Sequence, residues 1–128
     1  MVKRNLLVAV CVWLALLQGC RNQADTSSDL TLAHEVSPQP PRVGRVTITL
    51  RLADMAGAPV TGAVVKLEGN MSHAGMVPVF GEAKETEPGR YRSTLELSMA
   101  GDWVVLVGVT LPDNRKFERH FEIKGVAP

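Results

Sequence analysis

The residues best suited to bind a metal lie in one short segment, Asn70-Met71-Ser72-His73-Ala74-Gly75-Met76. Within it, two thioethers flank one imidazole. Thioether sulfur is a soft, neutral ligand and imidazole is intermediate, so this donor set suits Cu(I) better than zinc, magnesium or calcium. Gly75 allows the sharp turn that would bring Met76 back towards His73. The segment therefore predicts a Cu(I) site at Met71, His73 and Met76.

A packing role explains the same residues without a metal. Methionine commonly fills irregular gaps in a core. Met71 could be the last core residue of a strand and Met76 could fill a gap under the loop, with His73 in solvent. This alternative stays open at the level of the sequence.

Other histidines and methionines are weaker candidates. His34 lies on the apolar side of its strand, which predicts a half-buried histidine at a sheet edge, and His120 lies on the polar side, facing solvent. Met99 comes four residues before Trp103, where packing on the indole is favoured over a role as a third soft ligand. No nucleophile motif and no acid–base constellation is visible, so we do not expect an enzyme.

The elements that would position these residues alternate apolar and polar side chains with a period of two, which is typical of β-strands. Residues 103–111 are apolar at nearly every position, which predicts a central strand covered on both faces. The charged stretch Glu82–Glu87 is interpreted as a solvated loop. The other predicted strands are residues 30–37, 46–52, 63–68, 90–97 and 117–123. The pattern predicts an all-β fold, an immunoglobulin-like β-sandwich of about seven antiparallel strands.

The N-terminal segment indicates export and lipid attachment. Two basic residues precede an apolar run, Leu6–Leu17, and Gly19 stands directly before Cys20. The run has 12 residues, too short for the roughly 20 that a spanning helix needs. This arrangement is typical of a bacterial lipoprotein signal peptide, in which the cysteine after the cut is acylated. An ordinary signal peptide cut nearby and an uncleaved anchor are the alternatives.

These boundaries divide the chain into a signal peptide at residues 1–19, a lipidated polar tether at residues 20–29 and a folded domain at residues 30–126. The acyl chain, such as palmitate, would attach at Cys20. We expect the protein in the bacterial cell envelope, anchored by lipid and facing the periplasm or the exterior.

Composition excludes several kinds of chemistry. Two of the 14 Lys and Arg residues lie in the signal peptide, which leaves 12 against 13 Asp and Glu and a net charge of −1. No basic cluster along the sequence is dense enough to predict nucleic-acid binding. The two cysteines are Cys11, in the signal peptide, and Cys20. A domain without thiols has no disulfide framework and no cysteine-ligated metal, so soft-metal chemistry depends on methionine and histidine.

Four pieces of the domain carry a family resemblance: Pro40–Gly44, Gly57–Ala63, Met71–Met76, and Gly89–Tyr91 followed by Met99–Trp103. With these, the chain resembles the YtkA-like domain family, relatives of the FixH-like proteins, over roughly residues 30–126. The resemblance implies a small extracytoplasmic β-sandwich near copper-handling, cytochrome-oxidase assembly or metal-efflux systems. It also implies that the family's Met and His loop corresponds to Met71, His73 and Met76.

Two functional hypotheses follow. The first is a lipid-anchored extracytoplasmic accessory protein that binds Cu(I) and passes it on for envelope metal handling or oxidase assembly. The second is a metal-free β-sandwich interaction domain that docks on an envelope transporter or oxidase through a sheet edge or a loop surface.

Overall fold

Seven antiparallel β-strands and no helix make up the part of the chain that the computed structural model describes, residues 29–73 and 75–128. Within these residues, no helix is long and apolar enough to cross a membrane. The predicted signal peptide, Cys20 and the tether up to residue 28 lie outside the described residues. The strands are β1 Leu30–Ser37, β2 Gly44–Asp54, β3 Val64–Met71, β4 Val79–Glu87, β5 Arg90–Leu97, β6 Gly101–Thr110 and β7 Lys116–Val126.

The strand order is β1-β2-β5-β4-β3-β6-β7, with every neighbouring pair antiparallel. Strands β1, β2 and β5 form one sheet with the end of β4, and β3, β6 and β7 form the other with its beginning. This matches the ABED and CFG sheets of an immunoglobulin sandwich, with β4 in the place of strand D. The predicted all-β immunoglobulin-like fold is therefore confirmed.

Strand β4 corrects the prediction that Glu82–Glu87 is a solvated loop. The chain pairs with β3 through residues 79–83 and then with β5 from residue 84 onwards. Its charged side chains are exposed and only Ala83 is buried, so the sequence shows little apolar alternation. The crossing requires Gly81, because a Cβ there would lie 2.7 Å from both the Thr94 carbonyl oxygen and the Ser93 hydroxyl.

The core lies between the two sheets, and Trp103 and Tyr91 are its largest fully buried side chains. Strand β6 has alternate residues in this core, whereas Val104 and Leu106 on its other face are half-buried and Gly108 is exposed. The expectation of a strand covered on both faces was therefore wrong. Among the described residues, nothing packs over the outer face of β6. Val104 and Leu106 on that face are apolar, so the sequence alone does not distinguish them from core residues.

The two edge strands, β1 and β7, approach each other and narrow the open side of the sandwich. The Val43 amide donates to the Ala127 carbonyl at 2.8 Å, and the Ala127 amide donates to the Pro41 carbonyl at 3.0 Å. Farther along, the His34 ring stacks on Phe121 with 4.0 Å between ring centroids. These contacts hold the edges together without a continuous strand ladder.

Candidate metal-binding loop

Met71 is the last residue of β3 and lies opposite Trp103 of β6. Its side chain is half-buried and packs against the core. Its terminal methyl lies 3.1 Å from the position that a Cβ on Gly101 would occupy. Gly101 also has a φ of +126°, which disfavours other residues. A glycine at the start of β6 therefore gives the Met71 thioether its space.

His73 and Met76 lie in the connection between β3 and β4, which spans residues 72–78. His73 is exposed and Met76 is half-buried. Gly75 has a φ of +83°, the left-handed conformation that glycine adopts most readily. The predicted turn at Gly75 is therefore present between the two candidate ligands, and His73 is accessible from solvent.

Met99 lies in the turn from β5 to β6, at the same end of the sandwich. The end of β3 and the start of β6 are antiparallel neighbours, since Met71 pairs with Trp103. The Met99 side chain is 48% exposed, and the Trp103 indole donates to the Met99 carbonyl at 3.0 Å. A hydrogen bond thus joins the indole to the Met99 backbone, and the packing of the Met99 side chain stays a prediction. We name the residues at this end, 71–78 and 98–101, the methionine end.

The other two described histidines lie on β1 and β7, outside the residues that form the methionine end. His34 was expected to be half-buried but is exposed, because it lies on the edge strand β1. One face of its ring stacks on Phe121. The groove beside His34 is lined by β1, β7 and the β1–β2 connection. His120 on β7 is exposed, as predicted. Neither histidine therefore belongs to the methionine end.

Hard-ligand metal sites are not evident in the described residues, since these contain no group of three His, Cys, Asp or Glu side chains that could hold a metal ion. Thioether sulfur is not among those donors. Met71, Met76 and Met99 are thus the soft donors at the methionine end, and His73 lies in the same connection as Met76. Metal chemistry at this end would favour Cu(I) over harder cations.

At the opposite end of the sandwich, Tyr91 forms hydrogen bonds with the connection between β2 and β3. Its ring is fully buried. The hydroxyl donates to the Val60 carbonyl at 2.9 Å and accepts from the Ala63 amide at 3.1 Å. Burial, the largest influence, raises the pKa of Tyr91 above its usual value, so the phenol keeps its proton at neutral pH. One side chain thus satisfies two backbone groups of a long connection.

Glu85 supports the same region from β4. One carboxylate oxygen accepts from the Gly62 amide and the other from the Gly89 amide, each at 3.1 Å. These backbone donors, Gly62 first, lower the pKa of Glu85 below its usual value. The β2–β3 and β4–β5 connections are therefore joined through one ionised side chain.

Comparison with known proteins identifies the family. A family model described as YtkA-like matches residues 25–108. The chain belongs to the YtkA-like family. Similar solved structures include murine CRIg, at 15% identity over 77% of this chain and 98% of that one, with a TM-score of 0.45. Another is a conjugative transposon lipoprotein from Bacteroides eggerthii, at 16% identity over 71% and 94%, with a TM-score of 0.38. No curated protein sequence matches significantly.

The YtkA-like match contains the methionine end and ends near the close of β6, so β7 continues the sheet beyond it. Sequence reasoning missed two exposed apolar residues: Val77, at the methionine end, and Phe80, in the neighbouring part of β4, whose exposed fractions are 77% and 71%. The Val77-Pro78-Val79-Phe80 run suggests core residues, and only the crossing of β4 shows that Phe80 points outwards.

Proposed function

We propose that this YtkA-like protein is a lipid-anchored extracytoplasmic accessory protein that binds Cu(I) reversibly at the methionine end and passes it to an envelope partner. The observation that carries the proposal is the grouping of soft donors at one end of the sandwich. Met71 closes β3, His73 and Met76 follow in the next connection, and Met99 lies in the adjacent turn. Cu(I) is the cargo of this protein.

The different burial of the donors suits exchange. Met71 is held by packing against the core and Gly101, whereas His73 is exposed and Met76 half-buried. Two neutral thioethers and one imidazole form a soft set that leaves a coordination position open to an incoming ligand. A partner could therefore take the metal by displacing the exposed donors first. The mature domain has no thiol that would retain Cu(I) more firmly.

The anchor would keep the domain at the membrane. The Gly19-Cys20 pair follows a basic start and a short apolar run, which is typical of lipoprotein signals. Each buried methylene of an acyl chain contributes about 0.8 kcal/mol, and stable attachment takes more than one membrane-binding signal. Confinement to the surface raises the rate at which the methionine end meets a membrane-bound partner.

A Cu(I) titration against a competing chelator tests the proposal. All seven strands and the core that they enclose lie within residues 30–126, so a soluble form of residues 21–128 keeps the whole fold. The informative variant is Met71→Leu with Met76→Leu, because leucine preserves volume and packing while removing sulfur. Met55→Leu is the matched control, since Met55 is 69% exposed in the β2–β3 connection at the opposite end.

We expect saturable binding of one Cu(I) by the wild type and by the control, and at least tenfold weaker binding by the double variant. His73→Ala should weaken binding without changing stability, because its side chain is exposed. No saturable binding by the wild type, or equal binding by the double variant and the control, would contradict the copper proposal.

The second candidate function, a metal-free docking domain, is favoured by the exposure of Val77 and Phe80. Exposed apolar side chains close together are typical of interaction surfaces. A photo-crosslinking residue in place of Phe80 should then capture one defined envelope protein in cells, while the same residue at Thr94, on the outer face of β5, should not. Capture from both positions, or from neither, would count against this function.

A further inference from the structure

The outer face of the β1-β2-β5-β4 sheet places like charges directly opposite each other twice. Arg51 of β2 faces Arg90 of β5, and Lys84 of β4 faces Arg92 of β5. Arg92 and Arg51 are also diagonal neighbours, since the register moves from Thr49 opposite Arg92 to Arg51 opposite Arg90. Like charges at such positions destabilise a sheet. Four cations from three strands therefore form one cluster, which we name the cationic face.

Few carboxylates neutralise the cationic face. Arg90 has an ion pair with Glu87 at 3.6 Å. Arg51, Lys84 and Arg92 are exposed and form no ion pair within residues 29–73 and 75–128. Glu35 of β1 is a diagonal neighbour of Arg51, so two carboxylates lie beside the four cations. The remaining excess of positive charge points to an anionic ligand from outside the domain.

The opposite face of the sandwich has the reverse balance of charge. The outward positions of β3, β4, β6 and β7 there carry three lysines and five carboxylates: Lys66, Lys116, Lys124, Glu68, Glu82, Asp102, Glu118 and Glu122. The outward positions of the first sheet carry five cations and three glutamates: Arg45, Arg51, Lys84, Arg90, Arg92, Glu35, Glu87 and Glu96. The two faces thus differ in sign, although the domain as a whole is nearly neutral.

The tether joins the domain at the edge of the cationic sheet. Leu30 begins β1, the edge strand, and pairs with Asp54, three residues along β2 from Arg51. The ten residue steps from Cys20 to Leu30 span at most about 35 Å when extended. A chain anchored at Cys20 is therefore long enough for the cationic face to lie flat on the same membrane.

We propose that the cationic face docks on the anionic lipid headgroups of the membrane that holds the anchor. This inference rests on the proposed lipid anchoring. Each Lys or Arg near an anionic bilayer strengthens binding about fivefold. Docking through this face turns the β3-β6-β7 face away from the bilayer, because the two sheets are opposite sides of the sandwich. That outward face is then free to meet a protein partner.

Vesicle sedimentation of residues 21–128 tests the proposal, with vesicles of phosphatidylcholine alone or mixed with phosphatidylglycerol. The variant Lys84→Glu with Arg92→Glu reverses two charges of the cationic face. Its matched control, Lys66→Glu with Lys116→Glu, makes the same change of net charge on the opposite face, where both lysines are exposed. Circular dichroism verifies that each variant is folded.

We expect the wild type to bind phosphatidylglycerol vesicles and to lose this binding as salt rises. The cationic-face variant should bind at least tenfold more weakly, and the control should retain wild-type binding. Equal weakening of both variants would overturn the proposal. So would equal binding of the wild type to neutral and anionic vesicles, because docking on anionic headgroups requires stronger binding to the anionic ones.

The soluble form separates this inference from the proposed function, because it carries neither lipid nor copper. The mass of the mature chain extracted from membranes tests acylation of Cys20 independently. If Cys20 carries no acyl chain while the cationic face binds anionic vesicles, only the anchoring has failed. If Cys20 is acylated while both variants behave alike, only the docking has failed.

Discussion

Replacing Tyr91 by Phe removes one hydroxyl and leaves two backbone groups without their partner. The Val60 carbonyl loses its donor at 2.9 Å and the Ala63 amide loses its acceptor at 3.1 Å. The ring keeps its position in the core, where Tyr91 is fully buried. The variant therefore isolates the contribution of the hydroxyl from that of packing.

The structure sets the expected magnitude. Each intramolecular hydrogen bond contributes about 1 kcal/mol net, and a buried group left without a partner costs about 1–3 kcal/mol. Water can reach part of this site, because Val60 and Ala63 are only half-buried. We therefore expect a loss of about 2 kcal/mol in the free energy of unfolding. For a domain of this size, that corresponds to a fall in Tm of roughly 8–16 °C.

Urea unfolding followed by tryptophan fluorescence measures this loss. Trp103 is the only tryptophan after residue 19 and is fully buried, so its emission reports unfolding. Thr31→Val is the control, because the hydrogen bond from the Thr31 hydroxyl to the Ala53 carbonyl, 3.3 Å long, is exposed. The free energy of unfolding of this variant should change by less than about 0.5 kcal/mol. Amide exchange at Ala63 should accelerate in Tyr91→Phe. A stability equal to that of the control would refute the role assigned to the hydroxyl.

Two further predictions concern the crossing strand β4. Gly81→Ala should destabilise the domain by about 1–3 kcal/mol in urea unfolding, because its Cβ would lie 2.7 Å from the Thr94 carbonyl oxygen. The control Gly108→Ala should be tolerated, because the nearest atom to its Cβ would be 3.9 Å away. Equal effects of the two substitutions would contradict the close crossing. Glu85 has a lowered pKa because backbone amides, Gly62 first, donate to it, so its contribution to stability is present above pH 4.5 and is lost as pH falls through its folded pKa. Glu85→Gln should flatten the acid side of the stability profile, and an unchanged profile would disprove this.

The sequence predicted the fold class because most strands bury alternate residues on one side. It did not predict β4, whose only buried side chain is Ala83. This strand is rich in charged residues because it crosses from one sheet to the other and has only one buried position. The close approach at Gly81 depends on β5, which the local sequence pattern does not identify as a neighbour. The strand conformation of residues 82–87 is therefore determined by their position in the sandwich rather than by their composition.

The candidate site, like the fold, could be predicted only in part from the sequence. The turn at Gly75 and the strand-end position of Met71 follow from residue type and spacing. The cationic face does not, because it depends on which residues of β2, β4 and β5 are opposite each other, and register comes from tertiary pairing. The Tyr91 hydroxyl bond to Val60 spans 31 residues and is equally invisible to a local pattern.

Copper K-edge X-ray absorption on the Cu(I)-loaded mature protein tests the central claim most directly, because it identifies the atoms around the metal. The proposal predicts sulfur and imidazole nitrogen neighbours in the wild type, with the sulfur contribution reduced in Met71→Leu with Met76→Leu and retained in Met55→Leu. A coordination shell of nitrogen and oxygen alone, or a sulfur contribution unchanged in the double variant, would contradict a copper site at Met71, His73 and Met76.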